Sequence, residues 1–137
     1  MNWKIWKGAK LILEYGIISV FIYAAVTKII APFEFQVKLL KSSYLPVAAV
    51  PVISWILPLG EGTAVALMLF KESARLGWML IYTLMIFFNG HLLILHEIAP
   101  AAPCSCGGLL ESISLTEHLI MNLLITIFAA YKLVESE

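Results

Sequence analysis

Apolar residues in this chain are concentrated in four long runs, and prolines, glycines or charged residues separate each run from the next. The runs cover approximately residues 11–30, 47–70, 76–98 and 115–134. A transmembrane helix needs about 20 mostly apolar residues, so each run is long enough to cross a bilayer. The pattern predicts an all-α fold, an integral membrane four-helix bundle in which residues 1–137 form a single domain.

The segment between the first two runs predicts a short amphipathic helix that lies in the membrane interface. Within residues 32–45, apolar residues recur at helical spacing and charged residues fall on another face, the first at Phe33, Val37, Leu40 and Tyr44, the second at Glu34, Lys38 and Lys41. We expect a membrane anchor, with a docking surface for a partner as the alternative. Further along, Ser114 and Glu117 have the spacing of a capping box, which predicts that the fourth helix begins there.

Composition agrees with a chain that lies almost entirely in the bilayer. Hydrophobic residues make up 61% of the sequence and charged residues 13%, whereas soluble domains average about 45–50% and about 25%. The apolar excess is too large for a soluble core of this size, so it needs lipid. Formal net charge is zero and the basic residues are dispersed, which gives no electrostatic footprint for nucleic acid.

The basic residues also predict an orientation, because cytoplasmic loops carry an excess of Lys and Arg. If both termini are cytoplasmic, six of the nine basic residues lie on that side, namely Lys4, Lys7, Lys10, Lys71, Arg75 and Lys132. The loop between the third and fourth helices then faces the periplasm, where disulfides form and persist. The four tryptophans are expected at the interfaces as anchors, at Trp3, Trp6, Trp55 and Trp78.

That loop contains the only two cysteines, Cys104 and Cys106, in the sequence PCSCGG over residues 103–108. Two Cα atoms at this spacing can approach within the roughly 4.4–6.8 Å that a disulfide accepts, in a tight ring. Strained disulfides are the labile or catalytic ones, and so short a loop gives little stabilisation. The pair therefore favours redox activity, with a structural or incidental pair as one alternative.

A metal site is the other alternative for the cysteines. His96 and His118 bracket the loop, and two thiolates with two imidazoles would suit zinc. The spacing is not that of a compact zinc signature, so we predict no metal. The simpler interpretation of each histidine is an interfacial side chain that meets water or headgroups.

Glu61 is an ionisable residue well inside the second apolar run, and such residues are expensive in a membrane and rarely without function. It needs a partner, a proton or a water-filled cavity, and candidate partners are Lys28, Asn89, His91 and Asn122. Lys28 lies near the end of its helix and could instead extend outward to the interface. The two flanking glycines, residues 60 and 62, predict close packing against a neighbouring helix. The asparagines are expected to join helices.

Three segments carry a family resemblance: residues 23–28 with Pro32 and Phe35, residues 59–61, and residues 103–108 followed by Thr116, Glu117, His118 and Asn122. On these segments the chain resembles the DoxX-like superfamily of small four-helix membrane proteins and, within it, the MauE-type redox-associated members. The resemblance implies an inner-membrane bundle in a bacterium. MauE is associated with the maturation of methylamine dehydrogenase, whose small subunit is rich in disulfides, and DoxX-type proteins with quinone-linked sulfur oxidation.

The resemblance thus implies thiol or sulfur redox at the outer face, with Cys104 and Cys106 as the redox pair and Glu61 as a functional acid. Our principal hypothesis is a thiol–disulfide redox protein that exchanges with a periplasmic thioredoxin-like or other cysteine-containing protein. Quinone is a candidate cofactor, with Glu61 or His91 exchanging protons with it. Membrane thiol oxidoreductases that pass electrons to quinone use two cysteine pairs, so activity as an enzyme on its own stays open. Alternatives are a non-catalytic subunit or assembly factor of a larger membrane complex, and a small transporter that uses Glu61.

Overall fold

The computed structural model describes residues 2–42, 44–98 and 112–137. Within these ranges the chain forms five α-helices and one 3-10 turn, in the order α1 (Trp3–Ile30), α2 (Pro32–Leu40), the turn (Val47–Ala49), α3 (Val50–Met68), α4 (Ala74–Ile98) and α5 (Leu115–Glu135). Four segments are long and apolar enough to cross a membrane, at Trp3–Ile30, Val47–Met68, Ala74–Ile98 and Leu115–Glu135. The all-α fold, the four membrane helices and the short helix after the first are therefore confirmed.

Local chemistry sets the helix ends that matter for the site. Pro32 disfavours helical geometry at the residue before it, and Ala31 has φ −126° and ψ 63°, so α1 ends and α2 starts in a new direction with proline at its first position. At α5 the predicted capping box is present. The Glu117 amide donates to Ser114 Oγ at 3.3 Å and the Ser114 amide donates to Glu117 Oε2 at 3.1 Å.

The four long helices share one apolar core. α1 packs against α3, α3 against α4, and α4 against α5. Ala64, Ile81 and Ala129 are completely buried at the centre, and Phe21 of α1 lies beside them. Large apolar side chains also cover the outside of every long helix, which is the surface expected of a bundle surrounded by lipid.

The tryptophan prediction is wrong for Trp78. This side chain is only 3% exposed and belongs to the core rather than to an interface. Its ring meets Phe128 edge to face at 5.6 Å between centroids, and Lys132 Nζ lies 5.9 Å from its centroid. Trp78 therefore holds α4 against α5, whereas Trp3, Trp6 and Trp55 are exposed.

Helix α2 packs against α3 through residues that the sequence pattern did not select. Phe35 and Leu39 are buried with Val50 in a second small cluster, and Gln36 Nε2 donates to Ser54 Oγ at 3.1 Å. Phe33, which defines the apolar face expected from the sequence, is 74% exposed. The apolar face predicted for α2 therefore points away from the bundle, and Phe35 and Leu39 form the face that packs against it.

Of the glycines in α3 and α4, Gly77 makes the tight contact between the two helices, and the two predicted glycines do not. A methyl group placed on Gly77 would lie 3.0 Å from the Ala64 carbonyl oxygen and 2.6 Å from Met68 Cγ. By contrast, a methyl group on Gly60 would make only ordinary contacts with Leu84, and one on Gly62 would meet nothing within 4 Å. The expected close packing at residues 60 and 62 is therefore wrong.

Replacing Gly77 by Ala is expected to lower the free energy of unfolding by about 1–3 kcal/mol, because the backbone of α3 has to move. The matched control is Gly62→Ala, which adds the same methyl group in open space and should be neutral or slightly stabilising through helix propensity. Unfolding of both variants in mixed micelles by titration with denaturing detergent checks this. Equal stability of the two variants would contradict the close approach at Gly77.

Candidate functional site

Two helices place opposite charges side by side in the interior of the bundle. Lys28 Nζ of α1 lies 2.5 Å from Glu61 Oε1 of α3, and the side chains are 3% and 2% exposed. Side chains lean toward the N-terminus of their helix, so Lys28, two residues before the end of α1, extends back into the bundle. The outward extension considered for Lys28 is therefore wrong, and Lys28 is the partner of Glu61.

Aromatic rings complete the surroundings of the Lys28 ammonium. Its Nζ lies 5.4 Å from the ring centroid of Phe35 on α2 and 5.2 Å from that of Phe88 on α4. Both distances are within the range of cation–π attraction. Helices α1, α2, α3 and α4 thus all contribute to holding one cation at this position, which offsets part of the cost of removing it from water.

Beside the ion pair lies a small, partly open chamber of about 30 Å³, lined by residues of α1, α3, α4 and α5. Lys28, Glu61, His118 and Asn122 contribute its polar lining, and the rest of the lining is apolar. Glu61 Oε2 and His118 Nδ1 are both buried and have no hydrogen-bond partner among the residues that the structure describes. His118 comes from the first turn of α5, one turn after the capping residue Ser114. The interfacial position expected for His118 is therefore wrong.

A much larger groove of about 600 Å³ opens between α2, α3 and α4. Its walls are almost entirely apolar, with Phe35 and Leu39 from α2, Ile53 and Leu57 from α3, and Phe87 from α4 among them. This volume and lining are typical of a site for a small organic molecule. Because α3 and α4, which form most of its walls, are membrane-spanning helices, such a molecule would reach it from the lipid phase.

Four polar residues line this groove, Lys28, Tyr44, Thr83 and His91, and the Thr83 hydroxyl donates to the Met79 carbonyl oxygen of its own helix. The Tyr44 hydroxyl and His91 Nδ1 are hydrogen-bonded to each other, and the two rings lie 5.6 Å apart between centroids. Burial raises the pKa of Tyr44 above its ordinary value of 10.0. Its phenol is therefore protonated at neutral pH and remains a hydrogen-bond donor.

The asparagine in α4 joins two helices, as expected. Asn89 Nδ2 donates to Thr126 Oγ1 of α5 at 2.9 Å, and Thr126 donates in turn to the Asn122 carbonyl oxygen at 2.7 Å. Because Asn122 also borders the chamber, this bond fixes the register of α4 and α5 beside the Lys28–Glu61 pair.

The structure brings together only part of the site expected from the sequence. Glu61 lies at the ion pair and His91 lies in the groove, whereas His96 is on the surface with about half of its side chain exposed. Cys104 and Cys106 lie outside the described residues. Within residues 2–42, 44–98 and 112–137 no group of three or more metal-ligating side chains occurs.

Sequence reasoning missed two members of the site. Tyr44 was assigned to an interfacial helix face, although it pairs with His91. His118 was weighed only as a metal ligand or an interfacial residue. The capping box places His118 in the first turn of α5, but the burial of its side chain depends on how α5 packs, for which the sequence gives no signal.

The fold and the site together define a multi-pass membrane protein whose helices enclose a buried ion pair and border an apolar groove. Over residues 7–135 the sequence matches the family described as methylamine utilisation protein MauE, and the chain belongs to that family. Neither the curated proteins nor the solved structures gave a match. The MauE part of the resemblance is confirmed, and placement in the DoxX-like superfamily stays a prediction.

Proposed function

We propose that this chain is a membrane thiol–disulfide redox protein in which Cys104 and Cys106 cycle between a dithiol and a disulfide. In exchange with a partner, one thiolate of the partner attacks the Cys104–Cys106 disulfide and the partner's second thiolate resolves the mixed disulfide. Two hydrogens and two electrons then pass to this chain, the partner leaves as a disulfide, and a quinone that accepts the two electrons and two protons restores the Cys104–Cys106 disulfide. The partner class is a periplasmic thioredoxin-like or other cysteine-containing protein.

The observation that carries this proposal is where the buried polar groups lie. His118 is in the first turn of α5, and His91 and Asn89 are in the second half of α4. Residues 99–111, which contain both thiols, connect these two helix ends. Oxidation of a dithiol releases protons as well as electrons, so two proton-binding imidazoles at this end, the buried His118 and the half-buried His91, suit that chemistry.

Quinone, the candidate cofactor, fits the groove between α2, α3 and α4. When bound, a quinone supplies an acceptor of two electrons and two protons. The Tyr44–His91 pair and Lys28 would bind its carbonyl oxygens as hydrogen-bond donors, and the apolar walls would hold its isoprenoid tail. Glu61 does not line the groove. It would act through Lys28, which it holds in position.

The proposed orientation places both termini in the cytoplasm and residues 99–111 in the periplasm of a bacterium. Basic residues support it, because Lys28 at the far end of α1 is paired with Glu61 in the finished bundle and is not part of a loop. The far side then retains Lys38 and Lys41, against six basic residues on the cytoplasmic side.

Thiol trapping of isolated membranes across a graded redox buffer tests the cysteine pair. We expect a reversible two-electron transition at a potential well above about −300 mV. Replacing Cys104 and Cys106 by Ser should abolish methylamine-dependent growth of the source organism while the protein remains in the membrane.

The matched control is Ser105→Ala, which changes the same loop, leaves both thiols and should support normal growth. A pair that never bridges or never becomes reduced would contradict the redox proposal. Normal growth with both cysteines replaced would do the same and would favour a non-catalytic subunit or assembly factor.

A further inference from the structure

Lys28 stands between the groove and the small chamber. Its side chain lines the groove and also the small chamber. On the chamber side its ammonium donates to Glu61 Oε1, and the other carboxylate oxygen of Glu61 has no partner among the described residues. A proton accepted by Glu61 is therefore one hydrogen bond away from a group that faces the groove.

The chamber has the polarity and size of a site for water. Buried polar atoms in folded proteins are satisfied by protein groups or by ordered water, and two such atoms, Glu61 Oε2 and His118 Nδ1, belong to the lining of this one cavity. Both residues are almost fully buried. The volume of about 30 Å³ exceeds the roughly 10–15 Å³ that a cavity needs to hold one water molecule.

We propose that the chamber binds water and that His118, this water, Glu61 and Lys28 form a proton path from the first turn of α5 to the groove. This inference rests on the proposed function, in which a molecule in the groove takes up protons as it is reduced. After Lys28 gives a proton to the groove, Glu61 takes up a proton from His118 through the water and passes it to Lys28, which restores the ion pair. His118 is then reprotonated by a proton that oxidation of the Cys104–Cys106 dithiol releases.

The surroundings of the chamber leave few other routes. Its lining residues from α4 are Met85 and Phe88, which carry no proton, and Asn122 of α5 offers only an amide. The remaining titratable groups near Lys28 are Tyr44 and His91, and both line the groove rather than the chamber. Protons that enter at the start of α5 and pass through the chamber are thus restricted to His118, Glu61 and Lys28.

The first experiment detects the water directly, without any ligand. The full chain with ¹⁵N-labelled histidine is placed in proteoliposomes, and solid-state NMR measures magnetisation transfer from water to the His118 side chain. We expect transfer to His118 in the unmodified protein and its loss in Ala24→Val, which fills the chamber from α1 without removing a polar group. Transfer to His96, on the surface, should persist in both. Absence of transfer to His118 in the unmodified protein would overturn the proposal.

The second experiment follows the proton at Glu61. Infrared difference spectra are recorded while decylubiquinone, added to the proteoliposomes, is reduced electrochemically. We expect a carboxyl band of Glu61 that is lost in the Lys28→Met/Glu61→Gln double variant, which leaves no unpaired charge. Decylubiquinone bands without a Glu61 band would overturn the path alone. If decylubiquinone does not bind, both the proposed quinone site and the transfer of protons from Lys28 to the groove are contradicted. The NMR measurement still tests independently whether the chamber binds water.

Discussion

Replacing Glu61 by Leu is expected to lower the free energy of unfolding by about 3–5 kcal/mol, the largest stability effect of any single substitution considered for this chain. The substitution removes the only acceptor that the structure shows, within its described residues, for the Lys28 ammonium. An unpaired charge would then remain among apolar and aromatic side chains, which is more costly than having no charge there at all. Unfolding in mixed micelles or by steric trapping in bicelles measures the loss.

The control for this prediction is the Lys28→Met/Glu61→Leu double variant. It removes both charges and keeps side chains of similar length, so most of the lost stability should return. This cycle separates the cost of an orphaned charge from the loss of packing volume. A double variant as unstable as Glu61→Leu would show that shape, rather than charge, is what the pair contributes.

The second large effect is expected when the groove is filled from α4. Gly90 lines the groove, and a methyl group placed on it would meet nothing within 4 Å. Gly90→Phe therefore directs a ring into the groove without displacing a helix. Affinity for decylubiquinone should fall by tenfold or more, at least about 1.4 kcal/mol of binding free energy. Titration of the protein in nanodiscs by calorimetry checks this.

Gly62→Phe is the matched control for the groove variant. Gly62 is equally open at its Cβ position, is exposed on α3 and borders neither of the two cavities. The same ring added there should leave decylubiquinone affinity unchanged. Equal loss of affinity in both variants would point to a general effect of added aromatic surface, and unchanged affinity in both would contradict the groove as the binding site.

The membrane helices could be predicted because hydrophobicity over about 20 residues is a strong signal when lipid is the solvent. The fourth run, predicted from residue 115, begins at Leu115 in the structure, since a capping box gives a local marker for a helix start. The depth of Glu61 was equally visible, because an acid within an apolar run stands out whatever the tertiary structure.

Partners within the bundle could not be predicted, because helix rotation decides them and one sequence carries little information on rotation. Four polar residues were open as partners of Glu61, and only the structure selects Lys28. The close approach at Gly77 depends on the crossing of α3 and α4, and the burial of Trp78 depends on where α5 packs. In lipid both faces of a helix are apolar, so hydrophobic spacing does not identify the buried face, as α2 illustrates.

The Lys28–Glu61 pair also sets a condition on how the chain is assembled in the membrane. Synthesis proceeds from the N-terminus, so α1 is made before α3. Lys28 therefore has no ion-pair partner until Glu61 of α3 has been synthesised. Its place near the end of α1 lets the long side chain reach headgroup water during that interval. Once α3 arrives, the ammonium turns inward and the two charges enter the interior as a neutral unit. The ion pair therefore forms late in assembly, only when α1 and α3 pack against each other.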